Sequence, residues 1–101
     1  MNTDLPDLLL NSLQLTPQEC AGKVVVVTGA GRGIGEQVAR AFAWLNASVV
    51  IAEISSQGQV VADDIYRLRG RAIFVQTDFS DSASVQHLVD TVRKNFGPVD
   101  I

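Results

Sequence analysis

The sequence predicts an α/β fold, a parallel sheet covered by helices. Three observations point to it. Short apolar runs lie at 24–27, 49–52 and 72–75, inside the strand-like stretches 24–28, 48–54 and 71–76. They have the length and β-branched content of strands buried on both faces. Stretches of helical periodicity alternate with them, at 36–45, 59–68 and 84–96. Between the first run and the first helix stand four glycines in seven positions, Gly29, Gly31, Gly33 and Gly35. A β-α-β-α-β-α-β order gives a doubly wound parallel sheet, with spatial strand order 3-2-1-4 expected.

Bulk properties narrow the function classes. The chain has 101 residues, 47% of them hydrophobic, and a formal net charge of −3. That suits one globular domain or part of one. An acidic balance gives no reason to propose nucleic acid or an anionic membrane as partner. Cys20 is the single cysteine, so neither an internal disulfide nor a zinc-ligand cluster can be built from cysteines. A reduced, cytoplasmic setting is the default. No apolar stretch approaches the roughly 20 residues that span a bilayer.

Residues 1–22 form a leader. Asp4 and Asp7, with no basic residue before Lys23, argue against a secretory signal. Leu5, Leu8, Leu9 and Leu13 share one face if the segment is helical, and Pro6 suits a first turn. Such a helix would pack on the domain or on a second subunit; a frayed tail is the alternative.

The first strand is Val24 to Thr28. The glycine turn follows, and then a helix from Glu36 to Leu45 with Ile34, Val38, Ala41, Phe42 and Leu45 at helical spacing. Asn46 and Ala47 end it. Strand–turn–helix places unpaired helix N–H groups and the positive end of the helix dipole at one spot, a site for phosphate. The spacing is not Gly-x-Gly-x-x-Gly, because position 34 is Ile34. Nor is it a P-loop, since Glu36 follows Gly35.

The second strand, Ser48 to Ile54, carries Glu53 near its end. In a dinucleotide-binding unit an acid at this distance accepts hydrogen bonds from the adenosine ribose hydroxyls. The same charge repels a 2′-phosphate and so favours NAD over NADP. The second helix runs from Gln59 to Leu68, with Val60, Val61, Ile65 and Leu68 on one face and Gly70 to close it. Arg71 to Gln76 is the third strand, followed by Thr77, Asp78 and Phe79. The third helix, Ser84 to Phe96, buries Val85, Leu88, Val89, Val92 and Phe96. Arg93 and Lys94 suit its negative end, and Gly97-Pro98 stops it. His87, the single histidine, lies off the apolar face and reads as solvated. Val99-Asp100-Ile101 begins a fourth strand.

The turn from Thr28 to Gly35, Thr-Gly-x-x-x-Gly-Ile-Gly, resembles the cofactor turn of short-chain dehydrogenases/reductases. The resemblance covers Lys23 to Ile101. It implies a Rossmann fold, a dinucleotide cofactor, an alcohol or carbonyl substrate and a homo-oligomer for the parent protein. By the same resemblance Gly29, Gly33, Ile34 and Gly35 belong to the cofactor turn, with the amides of 33–35 on the pyrophosphate. Asp78 would meet the adenine amine and Phe79 would line its pocket. Arg32 stands where NADP-preferring members can carry a basic residue. Ile54, after Glu53, offers no second clamp, and NAD remains favoured.

Family members continue with an Asn-Asn-Ala-Gly stretch, then a Ser and a Tyr-x-x-x-Lys pair that carry catalysis. None can be assigned in this sequence. Tyr66 is followed at position 70 by glycine, so it does not begin such a pair. The expectation is therefore an N-terminal part of an NAD(P)-dependent oxidoreductase, ending at the start of its fourth strand and inactive alone. A non-catalytic nucleotide-binding or interaction module is the alternative.

Overall fold

A computed structural model describes residues 18–101. The leader segment up to Pro17, including the leucine face at 5–13, lies outside the described residues. Three strands and three helices alternate. They are β1 (Val24–Thr28), α1 (Gly33–Trp44), β2 (Ser48–Glu53), α2 (Gln57–Arg67), β3 (Arg71–Gln76) and α3 (Ser82–Asn95). The strands form one parallel sheet in the order β1-β2-β3, so β2 is central. Register pairs Val24 with Ser48 and Ser48 with Arg71, which aligns the carboxyl ends at Thr28, Glu53 and Gln76.

Strand alternation divides the core between two faces. Val25, Val27, Val49 and Ile51 point to one face, where Ala39, Ala43, Val61 and Ile65 of α1 and α2 cover them. Val24, Val50, Ala52 and Val75 point to the other, where Leu88 and Val92 of α3 pack. Helices on both faces explain why β2 is buried at every position but its last.

Residues 99–101 lie beside β1 without forming a full ladder. The Asp100 N–H donates to Val24 O at 2.8 Å, and Val26 N–H donates to Ile101 O at 2.9 Å. The Asp100 carboxylate also accepts the Val24 N–H at 2.9 Å. The chain thus arrives at the fourth-strand position expected from a 3-2-1-4 order.

Helix faces differ from the periodic expectation. In α1, Ile34 is 85% exposed and Val38 is also exposed; Ala41 and Leu45 are buried as expected, and Ala39 and Ala43 are buried in place of the larger residues. The tight turn brings the helix so close to the sheet that small residues occupy the contact. A Cβ at Gly35 would collide with the Gly29 carbonyl oxygen. In α2, Val60 and Leu68 are exposed, and Gly58, Val61, Ala62 and Ile65 face the sheet. In α3, Leu88 and Val92 are buried, while Val89 sits at the margin.

Helix ends follow local chemistry. Asn46, at φ 68°, and Arg69, at φ 67°, take the left-handed turn after α1 and α2. In each case the next N–H reaches back five residues, Ala47 to Phe42 O at 3.0 Å and Gly70 to Ile65 O at 2.9 Å. Asn46 ends α1 as its sequence position suggests. At α2 the left-handed residue is Arg69 rather than Gly70. Gly70 is needed for space, since a Cβ there would press on Ile65. The Asp81 carboxylate caps α3 by accepting the Ala83 N–H at 3.0 Å, which starts that helix two residues earlier than its apolar pattern.

Candidate functional site

Three loops leave the carboxyl edge of the sheet, at 29–32, 54–56 and 77–81. In parallel α/β sheets ligands bind at this edge. The first loop must double back from β1 into α1 within four residues. Gly29 at φ 64° and Gly33 at φ 65° supply the conformations that allow it. Ala30 is fully buried beneath the turn. Arg32 is the N-cap of α1 in extended conformation and gives no side-chain cap. The first-turn N–H groups of Gly33, Ile34 and Gly35 therefore carry the positive end of the helix outward.

Glu53, the last residue of β2, lies against this turn. A Cβ built on Gly31 would overlap its carboxylate. Glu53 Oε1 is buried and has no hydrogen-bond partner among the described residues. A buried carboxylate oxygen left unpaired is costly unless a donor arrives. The Glu53 main chain is fixed from β3, because Thr77 N–H donates to Glu53 O at 2.8 Å. The Gln76 side chain also holds the next carbonyl, donating from Nε2 to Ile54 O at 2.9 Å.

Asp78 lies on the third loop. Its N–H donates to Ser84 Oγ at 2.8 Å. Its Oδ1 accepts from the Ser80 hydroxyl at 2.6 Å and the Ser80 N–H at 3.0 Å. The Ser80 hydroxyl, then its N–H, hold the Asp78 carboxyl below the ordinary aspartate range. It is an ionised acceptor at neutral pH. Phe79 beside it is half exposed.

The structure joins Gly31 with Glu53 and Gly29 with Gly35, and sets Asp78 and Phe79 on the same edge beyond β2. Arg32 and Ile34 stand exposed at the tip of the turn. Gly31 and Gln76 were not singled out from sequence as site residues. The extra glycine in the turn was the available signal for Gly31. Nothing local marks Gln76, whose role depends on the β2–β3 register. Among the described residues no cluster of His, Cys, Asp and Glu could hold a metal ion. No described helix is long and apolar enough to cross a membrane.

Known proteins share the sequence and fold of this chain. An uncharacterized oxidoreductase of Thermotoga maritima is 43% identical over 81 residues, covering 79% of this chain and 32% of that protein. A hydroxysteroid dehydrogenase from Escherichia coli superposes with a TM-score of 0.79 at 35% identity, over 84% of this chain and 37% of that one. A metagenomic short-chain oxidoreductase solved with NADP superposes with a TM-score of 0.74 at 32% identity, over 81% of this chain and 38% of that one. The chain spans about a third of the length of the curated relatives it matches. The family model described as short chain dehydrogenase matches residues 23–101, from the start of β1 through its glycine turn to Ile101. That match covers more than three quarters of the chain, and the chain belongs to the short-chain dehydrogenase family.

Proposed function

We propose that this chain builds the adenosine and pyrophosphate half of a nicotinamide dinucleotide site, with NAD preferred. In the whole protein the bound nicotinamide supplies or accepts a hydride, and the substrate is an alcohol or carbonyl compound. The observation that carries the reading is Glu53 Oε1, buried without a partner beneath Gly31. Ribose hydroxyls are donors of the kind it lacks. The N–H groups of Gly33, Ile34 and Gly35 would hold the pyrophosphate. Gly29 and Gly35 keep that turn tight, Asp78 would accept from the adenine amine, and Phe79 would cover the ring.

The preference rests on charge. A 2′-phosphate on the same ribose would meet the Glu53 carboxylate at close range and lose the hydroxyl that the carboxylate accepts. Arg32 is exposed on the opposite side of the balance and is the residue through which NADP would be tolerated. None of the described residues is placed as a proton donor; Tyr66 is exposed on α2. The same reading extends to a cytoplasmic, self-associating whole protein.

The test is cofactor titration of the full-length protein and its Glu53→Ala variant. Loss of hydrogen bonds to a charged acceptor should weaken NAD by roughly ten- to hundredfold. NADP affinity should change little or improve. Equal losses for both would remove Glu53 from the discriminating role.

A further inference from the structure

A second concave surface lies away from the cofactor edge, where the carboxyl ends of α1 and α2 meet. It is a groove of about 310 Å³ with Ala43 and Ile65 at its floor and Trp44 and Leu68 as walls. Arg40 and Arg69 stand at its rim. Leu68 is 74% exposed, so an apolar wall faces water in the described residues. An adjoining cavity of about 300 Å³ shares Ala43, Asn46, Arg69 and Gly70 with the groove, and its lining includes Gln18. Gln18, the first described residue, thus borders the cavity next to the groove. Cys20 N–H, bonded to Leu45 O at 3.1 Å, anchors this stretch to the end of α1.

We propose that residues 1–17 of the same chain occupy this groove. Their composition matches it. They contain six leucines, two acids and no base. The leucines suit the Trp44 and Leu68 walls, and Asp4 and Asp7 suit Arg69 at the rim, where Arg40 is already paired with Glu36 at 2.9 Å and Asp64 at 3.3 Å. Their reach is sufficient. At up to about 3.5 Å per residue, Leu15 lies within roughly 11 Å of Gln18 and Leu13 within roughly 18 Å. So short a tether gives a high effective concentration, which favours this segment over a free partner. The segment then covers an apolar face on the cofactor domain, independently of whether the opposite edge binds NAD.

Hydrogen exchange on the full chain tests this, read at the last turn of α2, residues 65–70. Leu13→Asp with Leu15→Asp should speed exchange there about tenfold or more, the equilibrium worth of one buried leucine side chain. Exchange in β2 should stay unchanged, which shows that the fold is intact. A second measurement pairs Leu13→Cys with Leu68→Cys in a Cys20→Ser background. A crosslink within one chain is expected. A crosslink only between two chains would overturn the proposal and assign the groove to a second copy. Unchanged exchange at 65–70 without any crosslink would overturn it as well.

Discussion

At Gly31 a single hydrogen faces the Glu53 carboxylate where any other residue would place a carbon. The obstacle is the end of a flexible side chain, so the fold can absorb a methyl group but the site cannot. Gly31→Ala should leave thermal stability nearly unchanged and weaken NAD about as much as loss of Glu53 does, measured by melting and titration. Gly35 differs, because its neighbour is the backbone oxygen of Gly29, which cannot swing aside. Gly35→Ala should cost about 1–3 kcal/mol of stability and weaken both NAD and NADP. Asp78 responds to pH in the ordinary direction for a depressed carboxylate. Its contribution is present above the ordinary aspartate range and fades only as the pH falls through its lowered value. Cofactor affinity should therefore show no Asp78 titration near neutrality. The glycine turn and the acid were both legible in the sequence as separate features. Their contact was not, since it depends on β1 and β2 pairing in parallel with Thr28 beside Ala52.

Among the elements, strands were easier to read than helix faces. Continuous runs such as Val24–Val27 have apolar residues for both faces of the sheet, whereas an amphipathic helix offers several overlapping stripes. Periodicity gives weight to large side chains, and so it placed Ile34 and Val38 in the core. The turn instead holds α1 close, and Ala39 and Ala43 make the contact. Replacing Ala39 with Leu should cost about 1–3 kcal/mol through overpacking, seen as a lower denaturant midpoint. The end of α2 makes the opposite prediction. Arg69 adopts a positive φ that strains a residue with a Cβ. Arg69→Gly should raise stability by about 1 kcal/mol, observable as an upward shift of the same midpoint. Removing the α3 cap with Asp81→Ala should lower it by about 1 kcal/mol.

Across the whole molecule, the order of elements in the sequence was enough to predict the sheet. Helices on both faces and a 3-2-1 order place β2 at the centre of the described sheet, and residues 100–101 reach the remaining edge of β1. That architecture aligns three loops at one edge, and the edge carries the proposed cofactor function. What the sequence left open was how segments distant along the chain meet there. Gln76 shows this, because its grip on Ile54 O exists only through the β2–β3 register. The most direct measurement is a cycle on the full-length protein. NAD and its analogue lacking the adenosine 2′-hydroxyl are each titrated against the wild type and Glu53→Ala. If Glu53 accepts that hydroxyl, removing it should cost the wild type about tenfold or more and cost the variant much less. Equal costs in both proteins would contradict the assignment of Glu53 to the ribose.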